Sequence, residues 1–257
     1  MISIKDFLFN RLNRVDCHAN LFGESALDKY CDITNDSIVM VDYSLRNSNT
    51  SLLKYYDELY SNLGSYHVSG IGKDLDETLE IYKKYKPEFI GEVKCYKHFK
   101  YNGDDKEHLL SDFSIALCDE LKDIPMFVHL DLIDDNSEEN LIKILEINED
   151  RPVILCHCGM NDIDDKDNSF ERALKLQHAY NNLWFEVSWV AWDYIKDNHR
   201  IMSKIDTDRL LLGTDFTKYT TEEEMKRHLS YFDYWSSKMN IRRNINKLIK
   251  NPAYAQL

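Results

Sequence analysis

Three histidines and one aspartate stand where short apolar runs end, at points where a buried strand would pass into a loop. They are His18, His129, His157 and Asp215. Imidazole nitrogens and carboxylate oxygens hold zinc and similar divalent cations while leaving one coordination position open for water. A bound cation lowers the pKa of that water toward neutrality and polarises a scissile carbonyl group. One histidine at a strand end is usually structural, but this set of four predicts a metal-assisted hydrolytic site.

Other polar or aromatic residues follow the same kind of apolar run and predict substrate contacts. Lys94 and Arg46 carry cations that would hold a substrate carboxylate or polarise a carbonyl group. For Lys94, an ion pair with Glu92 or Asp42 is the structural alternative. Trp189 is expected to wall the substrate pocket, with packing inside its own loop as the alternative.

The apolar runs that lead into these residues recur along the chain. Eight of them, rich in Val, Ile, Phe and Tyr, begin near Val15, Ile38, Tyr66, Phe89, Met126, Val153, Leu183 and Leu210. Their spacing leaves room for one helix after each strand, which is the βα repeat of a parallel sheet. We therefore predict an α/β fold, a (β/α)8 TIM barrel with its site at the carboxyl ends of the strands. In that barrel the side chains of His18, His129, His157 and Asp215 should converge.

The segments between the runs show helical periodicity. One stripe consists of Leu141, Ile144, Leu145 and Asn148. Thr221 and Glu224 have the spacing of a capping box, and Asn136 or Ser137 precedes an acidic first turn. We expect these stripes to cover the sheet.

Length and composition bound the class of protein. The 257 residues suffice for one large core, and no linker or repeat divides them, which predicts a single domain over 1–257. The net charge of −13 and the pI near 5.1 argue against nucleic acid or an anionic membrane as partner, leaving a small-molecule substrate. The charged N-terminus lacks the apolar core of a secretory signal, and no run approaches the ~20 apolar residues of a membrane span. These features predict a cytoplasmic protein; they leave the oligomeric state open, a homo-oligomer included.

The cysteines follow no metal-binding or redox pattern. Six are present, namely Cys17, Cys31, Cys95, Cys118, Cys156 and Cys158, and none forms a Cys-x-x-Cys pair. Several lie inside apolar runs, which predicts reduced and mostly buried thiols.

Five short motifs occur in one order along the chain. They are Asp16-Cys-His-Ala-Asn20, Gly91-Glu-Val-Lys94, Pro125-Met-Phe-Val-His129, His157-Cys-Gly159 and Gly213-Thr-Asp215. In this order they resemble the amidohydrolase superfamily, especially its amidohydrolase 2 branch of small barrel enzymes. The corresponding family patterns are D-x-H-x-H, G-x-K, P-x-x-x-H, H-x-G and G-[ST]-D. The likeness spans nearly the whole chain, although each motif alone is weak.

This resemblance implies a divalent metal, expected to be zinc. His18, His129 and Asp215 would be ligands, and His157 would be a ligand or an acid–base group. Asn20 occupies the position of the family's second histidine, and its amide oxygen is a poorer zinc ligand than imidazole. A weaker site, a different ion, or a site without metal, as in some lactone-hydrolysing relatives, therefore remains open.

A second alignment of the first motif is also open. If Asp16 and His18 replaced the histidine pair, the motif would resemble the family's decarboxylases, which place an acidic residue first. The Leu-Phe-Gly that follows Asn20 favours the alignment in which Asn20 is the second ligand.

Together these features predict an amidohydrolase-like hydrolase acting on a small carboxylate-bearing amide, lactone or ester. Asp215 would be the general base toward the attacking water, and His157 the second catalytic group. A decarboxylase of the same fold is one alternative, and release of carbon dioxide would identify it. A non-catalytic, ligand-binding barrel with a degenerate metal site is the other, and Asn20 is its main support.

Overall fold

The computed structural model describes residues 16–19, 29, 75–86, 89–94, 112–160, 166–196, 199–217, 219–238, 244 and 247–248. Five of the predicted strands lie in this part of the chain: β1 (Ile90–Lys94), β2 (Met126–His129), β3 (Val153–Leu155), β4 (Leu183–Val187) and β5 (Leu210–Leu212). The strands predicted near Ile38 and Tyr66 lie outside the described residues, as do the site candidates Asn20 and Arg46.

The five strands form one parallel sheet in the order β1-β2-β3-β4-β5. Met126 lies opposite Val153, and Phe185 lies opposite Leu210. Parallel neighbours need a crossover between them, and helices occupy each of these connections. The α/β class and the parallel sheet are therefore confirmed.

Seven α-helices lie entirely within the described part of the chain. They are α1 (Leu75–Tyr85), α2 (Asp112–Glu120), α3 (Asp135–Ile147), α4 (Lys166–Ala179), α5 (Val190–Ile195), α6 (His199–Met202) and α7 (Glu222–Ser236). Short 3-10 turns cover Cys156–Gly159, directly after β3, and Thr207–Arg209, directly before β5. α2, α3 and α4 each connect two successive strands of the sheet.

The helix starts show which capping signals were correctly identified. α7 begins after Thr221, whose side chain accepts from the backbone N–H of Glu224 in the predicted capping box. For α3 the predicted capping residue, Asn136 or Ser137, is wrong by two or three residues. Asp134 is the N-cap there, because its carboxylate accepts from the backbone N–H of Ser137 at 2.8 Å.

Alternate strand residues pack on opposite faces of the sheet. Val153 and Leu155 join the larger core together with Leu141 of α3. The smaller core on the other face consists of Cys17, Phe89, Phe127, Ile154, Cys156, Trp184, Leu211 and Leu248. His129, Glu186 and Gly213 each come two residues after a member of this smaller core, so they project from its face at the carboxyl ends of β2, β4 and β5.

Residues 16–19 run beside β5. The backbone N–H of Cys17 donates to the carbonyl oxygen of Leu212 at 2.9 Å, and Ala19 forms a parallel bridge with Phe216. This pairing brings His18 to the carboxyl end of β5.

Two predictions from composition can be compared with the described residues. Cys17, Cys118, Cys156 and Cys158 are free and buried, which confirms the predicted thiol state for these four. In the described part of the chain, every helix is too short or too polar to cross a membrane.

Candidate active site

The four residues singled out from sequence lie together at the carboxyl ends of the strands. Nε2 of His18 is 3.4 Å from Oδ1 of Asp215, and Nε2 of His157 is 3.8 Å from Oδ2 of the same carboxylate. The His18 and His157 rings stack with centroids 5.4 Å apart, and the His129 ring meets His157 edge-on at 4.7 Å. The expected convergence is therefore present in the structure.

Glu92 on β1 lies among all three histidines. Its Oε1 is hydrogen-bonded to Nδ1 of His129 and is 3.8 Å from Nε2 of His157. Its Oε2 is 3.8 Å from Nε2 of His18. The sequence suggested Glu92 only as a partner for Lys94; its position at the centre of the site follows from the fold.

Glu186 is a second carboxylate at the site that was not predicted from the sequence. It lies in β4 with no exposed surface, and its Oε2 is 3.2 Å from Nδ1 of His18 and 3.2 Å from the backbone nitrogen of His157. The available signal was a charged residue inside the apolar strand Leu-Trp-Phe-Glu-Val. A carboxylate buried in such a strand is costly unless it is paired, so its presence there suggests partners elsewhere in the fold.

Asp16 joins the first segment to the end of β5. Its Oδ1 accepts from the backbone N–H groups of His18 at 3.1 Å and Thr214 at 3.0 Å. Its Oδ2 accepts from the hydroxyl of Thr214 at 2.7 Å. Because these bonds engage both carboxylate oxygens, Asp16 is poorly placed as a metal ligand, which argues against the alternative alignment of the first motif.

The backbone is strained where it enters the site. Four residues have φ between 45° and 54°, in the left-handed region that residues other than glycine seldom adopt: His157, Cys158, Trp189 and Asp215. Such conformations cost of order 1–3 kcal/mol each, and they cluster at functional sites because the surroundings hold them in place. Here each strained residue follows the carboxyl end of β3, β4 or β5.

The buried charges shift the pKa values of the two central histidines upward. Burial by itself lowers the pKa of His18, but the carboxylates of Glu186 and Asp215 outweigh it and raise the pKa well above the ordinary value. The pKa of His157 is likewise raised, since contact with Glu92 and the charge of Asp215 outweigh burial. The site therefore attracts a positive charge, either protons or a cation.

A cavity of about 320 Å³ opens beside Asp215. Its walls are Trp189, Asp193, Thr214, Asp215, Thr217, Tyr219, Thr220, Glu224, Arg227 and His228. The ring of Trp189 meets the His157 ring edge-on at 5.3 Å, so this tryptophan borders both the cavity and the histidine cluster. The side chain of Asp215 is 14% exposed, which leaves it accessible from the cavity.

Two of the residue groups fit a divalent cation. His18, His157 and Asp215 form one, Glu92, His129 and His157 form the other, and within each group the ligand atoms lie within 4.8 Å of one another. Nε2 of His18 and Nε2 of His157 are buried without a hydrogen-bond partner among the described residues, as expected of nitrogens that await a ligand. A third group contains Cys156, whose thiol has its pKa raised by burial, so that a cation binding there would have to displace the thiol proton.

The remaining predicted site residues are only partly within the described chain. The backbone of Lys94 pairs with His129 across β1 and β2, while its side chain is outside the described part. Asn20 and Arg46 lie outside it altogether.

Comparisons with known proteins link this fold to amidohydrolases and decarboxylases. No model of a known protein family matches the sequence, and no curated protein matches it. Among solved structures, an amidohydrolase from Burkholderia multivorans with bound zinc matches at a TM-score of 0.61 and 12% identity, covering 94% of this chain and 99% of its own.

Two decarboxylase structures match as well. The dihydroxybenzoic acid decarboxylase of Polaromonas sp. JS666, solved with manganese and 2-nitroresorcinol, has a TM-score of 0.56 at 9% identity, with 100% of this chain and 93% of its own covered. The 5-carboxyvanillate decarboxylase of Novosphingobium aromaticivorans DSM 12444, solved with manganese, has a TM-score of 0.53 at 12% identity, with 87% and 80% covered. At these identities the likeness establishes the fold, and it agrees with the resemblance of the motifs.

Proposed function

We propose that this protein is a metal-dependent, amidohydrolase-type hydrolase of a small carboxylate-bearing amide, lactone or ester. The observation that carries the proposal is the pair of buried Nε2 atoms, on His18 and His157, that face the carboxylate of Asp215 beside a cavity. The zinc in the Burkholderia multivorans structure and the manganese in the two decarboxylases support a divalent ion. We propose zinc, because imidazoles supply most of the donors.

The residues proposed to hold the metal are His18, His129, His157 and Asp215, with Asn20 as the weak fifth donor. When bound, a divalent cation supplies Lewis acidity and lowers the pKa of water. Asp215 lies at the cavity wall, and its carboxylate would accept a proton from the attacking water. Nδ1 of His157 is hydrogen-bonded to the Ser188 hydroxyl at 2.8 Å, so Nε2 is the nitrogen left for the site; it would hold the metal or, in place of that role, exchange a proton with the leaving group.

Substrate binding is proposed for three residues. Trp189 would form the apolar wall of the pocket, consistent with its position between the cavity and His157. Lys94 and Arg46 would bind the substrate carboxylate. The described cavity wall contributes Arg227 as a cation, and this guanidinium lies 3.2 Å from Asp193, so a substrate anion needs a further positive charge.

We also propose that the chain closes as a single eight-stranded barrel over 1–257. The pairing of residues 16–19 with the end of β5 supports closure, because it sets the first predicted strand beside the eighth. A cytoplasmic location and a small-molecule partner stay predictions from composition.

A decarboxylase of the same fold is the second candidate. The two decarboxylases that match over most of their length favour it. Loss of carbon dioxide from a substrate carboxylate and addition of water to a carbonyl group are chemically distinct, so the products separate the two activities.

Metal analysis and product analysis test the proposal in two steps. Protein purified without chelator or added metal should contain about one equivalent of a divalent ion, detected by elemental analysis. With a panel of amides, lactones and esters in ¹⁸O-labelled water, it should then yield a hydrolysis product that contains ¹⁸O. Carbon dioxide release without ¹⁸O incorporation would establish the decarboxylase instead. Failure to bind zinc or manganese in calorimetric titration would refute metal dependence.

A further inference from the structure

We infer that Glu186 is a positioning residue that sets the tautomers of both His18 and His157, so that Nε2 of each ring is the atom offered to the site. The inference rests on the proposed function, since it concerns how the chain presents those nitrogens to a cation. It adds a residue from β4 that is not among the residues lining the cavity.

Three donors converge on a single oxygen of Glu186. Oε2 lies 3.2 Å from Nδ1 of His18, 3.2 Å from the backbone N–H of His157 and 2.9 Å from the hydroxyl of Ser188. An ionised carboxylate only accepts hydrogen bonds. Its partner on the His18 ring must therefore be Nδ1–H, which leaves the lone pair on Nε2.

Ser188 passes the same constraint to His157. Its hydroxyl has one hydrogen, and that hydrogen is directed to Glu186. Toward Nδ1 of His157, 2.8 Å away, the Ser188 oxygen can only accept, so His157 also carries its proton on Nδ1. One carboxylate thus orders two imidazoles, the first directly and the second through a hydroxyl.

This arrangement holds in either charge state of the rings. If His18 or His157 is an imidazolium, both ring nitrogens are protonated, and the proton on Nδ1 is the one engaged by Glu186 or Ser188. The proton on Nε2 is the one that a bound cation would replace. Nε2 of both rings faces Asp215, at 3.4 Å and 3.8 Å, so both nitrogens lie where the proposed ligands converge.

The geometry around Glu186 leaves little freedom for another arrangement. Glu186 near the end of β4 and Ser188 directly after β4 are both fully buried, and they lie two residues apart in the chain. The backbone N–H of His157 can only donate, and it does so to Oε2, which places this oxygen as an acceptor among its three neighbours. Partners of this kind fix ring orientation in metal sites, and their loss typically costs 10–100-fold in metal affinity.

The test has two measurements. One determines the histidine tautomers in metal-free protein, and the other determines the zinc affinity. Long-range ¹H–¹⁵N spectra at alkaline pH should show His18 and His157 protonated at Nδ1. Ser188→Ala removes the relay alone, so His157 should populate both tautomers while His18 keeps its proton on Nδ1. Glu186→Leu should release both rings and weaken zinc binding by about 10–100-fold in a chelator competition.

Conservative and control variants keep the test informative if Glu186→Leu does not fold. Glu186→Gln retains an acceptor oxygen of the same reach and should keep the His18 tautomer, with zinc affinity between those of the wild type and Glu186→Leu. Glu146→Gln, on the exposed side of α3, makes the same chemical change and should alter neither readout.

The outcomes separate this inference from the proposed function. Wild-type spectra with protonated Nε2, or an unchanged His157 tautomer in Ser188→Ala, would overturn the role of Glu186 even if the protein binds zinc and hydrolyses a substrate. The predicted tautomers in a protein that binds no metal would support the role of Glu186 and refute the metal-dependent function.

Discussion

The backbone of Gly213 passes so close to Glu186 that a Cβ atom at this position would overlap Oε1 of the carboxylate. The same Cβ would stand 2.6 Å from Cβ of His18. Glycine is therefore required directly after β5, where the backbone passes between a proposed metal ligand and the carboxylate proposed to orient it. This close approach explains why the first residue of the Gly-Thr-Asp motif is glycine.

Gly213→Ala should accordingly destabilise the fold and displace His18. Overpacking of a buried site costs about 1–3 kcal/mol, and the backbone has little room to shift here. We expect a lower melting temperature and weaker zinc binding, measured by thermal unfolding and by chelator competition. Ser203→Ala, at an exposed position, serves as the control. Wild-type stability and zinc affinity in Gly213→Ala would show that the backbone at Gly213 has room for a Cβ atom beside Glu186.

Thr214→Val tests the connection between the first segment and β5. Valine has nearly the same shape but lacks the hydroxyl that donates to Oδ2 of Asp16 at 2.7 Å. Leaving a buried carboxylate oxygen short of this bond should cost about 1–3 kcal/mol in the free energy of unfolding, measured in denaturant.

The matched control for Thr214→Val is Thr207→Val, at an exposed threonine in the turn before β5. That change should alter the free energy of unfolding by less than about 0.5 kcal/mol. Equal effects of the two substitutions would mean that Asp16 does not depend on the Thr214 hydroxyl.

Asp215→Asn should remove the proposed base without unfolding the protein. Asp215 has φ of 51°, and asparagine adopts this left-handed conformation more readily than most residues. The amide keeps the size of the carboxylate but not its basicity. Once a substrate is identified, kcat should fall by about 10²–10⁴-fold while the melting temperature moves little. If Asp215→Asn unfolds while His157→Gln stays fully active, Asp215 is a structural ion-pair partner.

Asn20→His should tighten zinc retention, because it restores the second imidazole of the first motif. Asn20 lies outside the described residues, so this prediction rests on the motif. Competition with a chelator measures the retention, and Asn168→His, at an exposed position of α4, controls for the addition of a histidine elsewhere. Unchanged retention in Asn20→His would place residue 20 away from the site.

The sequence by itself determined the elements and the side chains at their ends. Apolar runs followed by helical stripes identified β1 to β5, since burial against a sheet imposes a readable spacing on the chain. His18, His129, His157 and Asp215 were identifiable because each directly follows such a run. The start of α3 was misplaced because Asp134, Asn136 and Ser137 all have capping side chains, and the choice among them depends on local backbone geometry.

Only the tertiary structure decided which side chains meet. Glu186 and His18 are separated by 168 positions in the chain, and Glu92 and His129 by 37, so no local pattern links the partners. Asp16 and His18 are two residues apart in the same motif. Asp16 accepts a hydrogen bond from Thr214 after β5, whereas the His18 ring lies in the site beside Asp215. The physical reason is that strand periodicity specifies the face a residue occupies, whereas hydrogen-bond partners depend on which strands lie side by side and in what register.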